Sequence, residues 1–410
     1  MRNAGNLERV SLLDDLFSRT RGLFDLPEGV IYLDGNSLGP LPRHAAERVA
    51  AMMCDEWGKL LIRGWNEAGW MDLPMRVGDR IGRLVGAPAG TVMTGDTLSI
   101  KVYQALASAL ELNPERKVVL SDSGNFPSDL YMAQGLIGSL GQGHELKVVA
   151  PEEVEAAIDG TVAVLMLTEV DYRTGRLHDM KALTAKAHAA GVVTVWDLAH
   201  SAGAIPVDLA GANADFAVGC TYKYLNGGPG APAFIYVRPD LAAQVRPALS
   251  GWLGHDAPFA FEPAYRPGAG IERMRVGTPP IVALTALDAA LDAWDGVTMD
   301  TVRARSIELT ELFIAEVEAR CPALELASPR EPARRGSQVS FRFGEGYAAM
   351  QALIARGVIG DFRAPDVMRF GFTPLYVSPG EVVEAARILA EIIDGRAYLE
   401  PRFRTRAKIT

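Results

Sequence analysis

Between Pro88 and Val237 the chain repeats one pattern, a short apolar run followed by a stretch with helical spacing. The runs are TVMTG, KVVLSD, ELKVVA, TVAVLMLTEV, VVTVWDLA, DFAVGC and FIYVRP. Segments such as VAVLML and VVTVW are apolar on both faces, so neither face can be left to water. This predicts a mostly parallel sheet covered by helices on both sides, an α/β layer whose ligands collect at the carboxyl ends of the strands. Pro279 and Pro280 are expected in the first turn of a helix, and IVALTALDAALDAWDG then reads as a long amphipathic connector leaving that layer. Beyond it, IELTELFIAEVEARC, YAAMQALIARG and PGEVVEAARILAEIIDG read as helices. SQVSFRF and a stretch ending in MRFGFTPLY read as extended, which together predict a second, smaller α/β unit. The expected division is an N-terminal segment (1–44) packing with the smaller unit, a large ligand-binding domain (45–285) and a small C-terminal domain (286–410). A chain of 410 residues, 49% of them hydrophobic, can fill cores of that size.

The charge balance limits the partners. With 41 basic against 50 acidic residues the net charge is -9, which leaves no excess of positive charge for a nucleic-acid backbone. No apolar stretch reaches the length of a membrane span, and the start lacks a secretory apolar core, so a cytoplasmic location is expected. Cys54, Cys220 and Cys321 are widely spaced and form no metal-type pattern, so reduced, mostly buried thiols and no metal site are expected.

Several residues fall at the predicted strand ends. Lys223, in CTYKYLNGGPGAP, follows a strand and precedes a glycine-rich stretch that cannot be helical. Alone, such a lysine is most simply a solvated one. Asp197 ends the strongly apolar VVTVWD, with His200 three residues later, and a carboxylate there needs a partner. The pyridinium nitrogen of pyridoxal 5'-phosphate is such a partner, and the ring, kept protonated, can accept electrons from a bond breaking at a substrate's α-carbon. The other interpretation is a cap on the next turn. Thr97, Leu98 and Ser99 open a helix in the first strand–helix unit, where free amides and the helix dipole favour a phosphate. Phe126 and Asp129 lie in the loop after KVVLSD, where an aromatic ring can stack on a flat cofactor, and Thr168 ends TVAVLMLT.

In this order along the chain, from about residue 30 to the C-terminus, these features resemble the aspartate-aminotransferase-like, fold type I enzymes of pyridoxal phosphate. YLDGNSLGPLP, NFPSD, WDLAHSAGA, TYKYLNGGPGAP, SGWLGH and VGTPP are similar, more narrowly, to the kynureninase family. The resemblance implies a large domain with a mostly parallel seven-stranded sheet, a smaller C-terminal domain, and hydrolysis of L-kynurenine or its 3-hydroxy form. It implies that Lys223 carries pyridoxal 5'-phosphate as a Schiff base, that Asp197 holds the pyridinium nitrogen and that Phe126 stacks on the ring. Thr97, Leu98, Ser99, Asp129, Thr168, His200 and Tyr222 would complete the shell. Trp252 and Thr278 would reach the phosphate from a neighbouring subunit, hence a homodimer with composite sites.

Arg369 would clamp the substrate carboxylate, Trp65 and Asn36 would meet the substrate, and Tyr222 would relay a proton. Leu98 departs from a family position that can carry a hydroxyl, although a backbone amide can serve there. A cysteine desulfurase-like relative shares the Asp and Lys plan but requires a mobile thiol, which none of the three cysteines supplies in a glycine-rich loop. A relative retaining the cofactor without catalysis is the other alternative.

Overall fold

The computed structural model describes residues 13–405. The expected packing of the N-terminal segment therefore lies, for residues 1–12, outside the described residues. In chain order the elements that build the site are helices α1 (Arg43–Ala51) and α2 (Leu73–Leu84), then β1 (Val92–Thr94), α3 (Leu98–Leu112), β2 (Val118–Asp122), α4 (Pro127–Leu140) and β3 (Glu145–Val149). They continue with β4 (Val162–Thr168), α5 (Met180–Ala189), β5 (Val193–Asp197), β6 (Phe216–Gly219), β7 (Phe234–Val237) and α6 (Ile281–Ala290). The seven strands form one sheet in the order β1-β7-β6-β5-β4-β2-β3, parallel except for β7, which runs antiparallel to both neighbours. The fold is that of the fold type I enzymes.

Successive side chains sort the strands between two cores. Val119, Val164, Met166, Val195, Val218 and Ile235 pack beneath α3 and α4, while Leu120, Leu165, Leu167, Trp196, Ala217 and Phe234 face the other way. This is the period of two that a strand imposes, with apolar residues in both phases because both faces are covered. Each such side chain contributes roughly 1.5–3 kcal/mol when fully buried.

The C-terminal part contains α7 (Met299–Arg320), β8 (Glu325–Leu326), β9 (Gln338–Arg342), α8 (Gly346–Ala355), β10 (Asp361–Arg363), β11 (Val367–Gly371) and α9 (Pro379–Asp394). Its antiparallel sheet has the order β8-β9-β11-β10. Helix α9 starts where its sequence directs. Ser378 accepts from the Glu381 amide, Glu381 accepts from the Ser378 amide at 2.8 Å, and Pro379 occupies a position that needs no donor.

Two sequence expectations change. Pro280 is the residue before α6 and not part of its first turn. The predicted connector splits, because α6 packs on α1 and α2 and ends in a tight turn at Leu291–Trp294, so the chain leaves the large sheet only at α7. That helix also begins earlier than predicted, since its first turns are rich in charge and its cap is Thr298, whose hydroxyl accepts from the Thr301 amide. The segment before α1 bridges both parts. Ile31–Tyr32 pairs in parallel with Val358–Ile359, the Gly371 amide donates to Leu33 at 2.7 Å, and the Gly39 amide donates to the Tyr222 carbonyl at 2.8 Å.

Candidate active site

Lys223 sits in a turn that the backbone fixes on both sides. After β6 the chain bends so that the Asn226 amide donates to the Lys223 carbonyl at 2.9 Å, and Asn226 takes a left-handed conformation at φ 58. Residue 39 closes over this turn and has to be glycine, because a Cβ there would lie 2.5 Å from the Lys223 carbonyl oxygen and 2.4 Å from Asn226 Oδ1. The half-buried amine donates to His200 Nε2 at 2.8 Å, and it lies 5.9 Å from the centre of the Phe126 ring and 5.8 Å from that of Tyr222. Burial, with Lys223, Arg369 and Arg363 nearby, holds the His200 imidazole well below its usual range, so it is a neutral acceptor for the lysine.

Below Lys223, Asp197 on β5 and Asp129 on α4 are both buried, at 3% and 2% exposure, and their carboxyl groups face each other. Burial raises Asp197 to about 6, against the opposing pull of Lys223, and burial with the Asp197 charge pushes Asp129 well above the carboxylate range. Asp197 Oδ1 also accepts from the Ala199 amide at 2.9 Å, so the capping interpretation holds together with the functional one. Two carboxyls buried side by side are costly without a cation between them. In the unfolded chain both lose their protons near 3.8, whereas in the fold they keep them to higher pH. Their contribution to stability is thus fully present below that value and is lost as pH rises through the folded values. Asp129→Asn is expected to raise the Tm of cofactor-free protein at about pH 8 and to leave it unchanged at about pH 3. Thermal unfolding at both pH values checks this, and an equal shift at both would contradict it.

The start of α3 is open. Thr97 is exposed and its hydroxyl does not cap the helix, Leu98 and Ser99 are half-buried, and Ser99 Oγ lies 3.1 Å from Ser128 Oγ in the first turn of α4, where Asp129 also sits and not in the expected loop, because the helix starts directly after Phe126. Phe126 is 41% exposed, with its edge held against Tyr172 at 5.1 Å between ring centres, and is not tucked into the core. Among the described residues Asp129 Oδ2 and His200 Nδ1 are buried without a hydrogen-bond partner. These features fit pyridoxal 5'-phosphate: free amides for its phosphate, an open aromatic face for its ring, a carboxylate pair for its ring nitrogen and an amine for its aldehyde.

Arg369 reaches the same crevice from β11. It is 1% exposed, donates through Nη1 to the Tyr172 carbonyl at 2.6 Å and through Nη2 to Ser37 Oγ at 2.8 Å, and holds Asp361 through Nε at 2.6 Å and Nη2. Asn36 is beside it, buried against Gly371, with its amide donating to Gln338 at 3.2 Å. Thr168, at the end of β4, is paired in register with Asp197. Lys223, His200, Asp197, Asp129, Thr168, Phe126, Tyr222 and the α3 start therefore meet at one sheet edge, with Arg369 and Asn36 joined through Tyr172 and Ser37.

Trp65 and Trp252 lie apart, and Thr278 sits against the turn that leads into α3. Trp65 and Trp252 line another cavity of about 480 Å³ with Ile62, Met71 and Phe259, while exposed Thr278 borders a small gap with Gly95, Asp96 and Lys101. Sequence reasoning missed Tyr172, Ser37 and Asp361. Tyr172 follows a strand end and could have been found there, whereas Asp361 gives no signal before its strand is paired.

Comparison with known proteins agrees with this geometry. Residues 302–389 match the family model described as the kynureninase C-terminal domain. The chain is 52% identical over 403 residues to the kynureninase of Pseudomonas fluorescens, covering 97% of each chain, and 50% identical over 404 residues to that of Burkholderia pseudomallei, again with 97% of each covered. Among solved structures it is similar to an apo cysteine desulfurase from Thermococcus onnurineus, with a TM-score of 0.77 at 18% identity, covering 92% of this chain and 98% of that one. It is also similar to a C-DES variant with glycine covalently linked to its PLP cofactor, with a TM-score of 0.78 at 18% identity and 90% and 99% covered.

Proposed function

Because the chain belongs to the kynureninase family, we propose that it hydrolyses L-kynurenine, and its 3-hydroxy form, to anthranilate or 3-hydroxyanthranilate and L-alanine, a step of tryptophan catabolism. The enzyme depends on pyridoxal 5'-phosphate. The observation that carries the assignment of residues is the convergence of Lys223, the Asp197 and Asp129 pair and Arg369 on one crevice. The test is release of fluorescent anthranilate from L-kynurenine by the cofactor-loaded enzyme.

Bound pyridoxal 5'-phosphate supplies an electron sink for bond changes at the α- and β-carbons of the substrate. Lys223 anchors it and then carries the α-proton on Nζ, while neutral His200 holds that amine in place. Asp197 and Asp129 keep a positive charge on the ring nitrogen, and Phe126 covers one ring face. Thr97, Leu98 and Ser99 hold the phosphate through free donors, and Thr168 lines the crevice beside Asp197. Arg369 binds the substrate carboxylate, with Asn36 beside it. Tyr222 donates a proton to the β-carbon of the alanine product. Its phenol, protonated at neutral pH like any tyrosine, is pushed further above the usual range by the neighbouring Cys220 sulfur and by burial. Tyr222→Phe is expected to lower kcat by roughly 10²-fold or more with cofactor still bound, as loss of an acid catalyst does. Steady-state kinetics beside the bound-cofactor spectrum check this, and an unchanged kcat would contradict it.

The functional unit in this reading is a homodimer. Ile62 is 78% exposed and Phe261 77%, and Leu61, Phe259 and Trp252 are exposed near the Trp65 cavity, an apolar surface that a second copy would cover. Trp252 and Thr278 of the partner subunit would then complete the phosphate site, and Trp65 would serve the substrate's aryl ring. The expected cofactor-binding domain (45–285) extends in this reading through the turn at Leu291–Trp294, and the part from α7 onward acts as the smaller domain that closes over substrate, with the described segment before α1 bridging the two. A cytoplasmic location suits these features, and no described helix is long and apolar enough to cross a membrane. Desulfurase chemistry is not favoured, since Cys220 and Cys321 are buried and Cys54 lies outside the crevice.

A further inference from the structure

The pairing between Arg369 and Asp361 has a definite geometry. The two residues are direct partners across the β10 and β11 ladder, so their side chains share a face and cannot drift apart. Asp361 takes the side-on edge of the guanidinium, through Nε at 2.6 Å and through Nη2. Oδ2 of the same carboxylate also accepts from Ser37 Oγ at 2.9 Å and pairs with Arg363 Nη2 at 2.8 Å. The Arg369 fork is thereby held flat, with Nη1 and the remaining Nη2 hydrogen pointing toward the Tyr172 carbonyl and Ser37. Those two acceptors are neutral, so on that edge, unlike the edge held by Asp361, a charged acceptor such as a second carboxylate takes their place at a net gain.

Charge at the cluster is incomplete in the same sense. Arg369 and Arg363 face Asp361 and Asp34, and burial, with the Asp361 charge, raises Asp34 to about 7. Arg363 Nε is buried without a partner among the described residues. With Asp34 only part-charged near neutral pH, Arg369 and Arg363 keep a net positive field in the cluster, which a substrate's α-carboxylate complements.

We propose that Asp361 is a positioning residue for carboxylate recognition: it locks Arg369 side-on, with Ser37 bridging Asp361 and Arg369, so that the opposite edge of the guanidinium is the one the α-carboxylate of the incoming amino acid takes. This rests on the assignment of Arg369 to the substrate carboxylate. Asp361→Asn replaces one acceptor oxygen by an amide that opposes Nη2, so the fork turns while the shape of the site is kept. The expected result is a rise in KM for L-kynurenine of about 10-fold or more, as loss of a hydrogen bond to a charged group gives, with kcat and the bound-cofactor spectrum unchanged. Inhibition by the decarboxylated substrate analogue, which lacks the α-carboxylate, should be the same as in the wild type.

A purely structural role would instead lower kcat or weaken the decarboxylated ligand equally, and that result overturns the proposal. Arg369→Leu is measured beside it. A sharp KM rise there with none in Asp361→Asn overturns the positioning role alone, and an unchanged KM in Arg369→Leu overturns both assignments. If Asp361→Asn fails to fold, Ser37→Ala replaces it. A smaller, carboxylate-dependent KM rise supports the arrangement, and unchanged kinetics overturn it.

Discussion

Lys223→Ala is expected to abolish turnover of L-kynurenine, with kcat reduced by at least about 10³-fold, because one amine both anchors the cofactor and carries the proton. Among the described residues the buried lysine Lys101 is engaged elsewhere: it pairs with Asp96 at 3.0 Å and also donates to Gln104 and the Met274 carbonyl. After borohydride reduction the wild-type protein should keep its cofactor through denaturation, and the variant should release it. Measurable turnover by the variant, or retention of cofactor after reduction, would remove Lys223 from its assigned role. His200 and the crevice walls are not altered by the substitution, so the variant should fold and still bind cofactor non-covalently.

The second large effect is expected at Asp197. Asp197→Asn removes the charge that keeps the ring nitrogen protonated. A charge-assisted hydrogen bond of about 1.5–3 kcal/mol is lost, so kcat should fall by roughly 10- to 100-fold and cofactor should be held less tightly. The cofactor-free protein should respond in the opposite direction. Asp197 is raised to about 6 by burial, so the native state holds its proton where the unfolded chain has lost it, and the acid destabilises the fold increasingly as pH rises through that value. The variant should therefore be the more stable protein at neutral pH without cofactor and the poorer enzyme with it. Kinetics and thermal unfolding on one preparation decide the matter, and a variant that is less stable and fully active would contradict the assignment. Such opposition between stability and activity is expected where carboxylates are buried for a ligand.

The sheet was legible because covered strands must be apolar in both phases. VAVLML and VVTVW declare two buried faces, and the residues at their ends, Thr168 and Asp197, are then placed by the geometry of parallel sheets. Lys223, Phe126 and the Thr97 helix start were legible for the same reason, as each follows a strand. The departure of the chain from the large sheet was less legible. IVALTALDAALDAWDG has one continuous apolar character, and nothing local says that α6 stays packed on α1 and α2 and that the turn at Leu291–Trp294 follows.

The surroundings of Arg369 could not be read in advance. Asp361 and Ser37 are 324 residues apart in sequence and meet only when Ile31–Tyr32 pairs with Val358–Ile359, the short strand just before β10. The sequence identifies an arginine on an apolar strand, and the register decides which carboxylate faces it. Trp65 and Trp252 were both singled out, but within one chain they line a cavity of their own, and the role proposed for them in the site requires the proposed second subunit.

Cleavage of the substrate between its β-carbon and its carbonyl is tested most directly by the product balance when the cofactor-loaded enzyme consumes L-kynurenine, with anthranilate followed by fluorescence and L-alanine by amino-acid analysis. Both are expected in equal amounts, matching the L-kynurenine lost. Cofactor-loaded protein that forms neither anthranilate from L-kynurenine nor 3-hydroxyanthranilate from the 3-hydroxy substrate would contradict that cleavage.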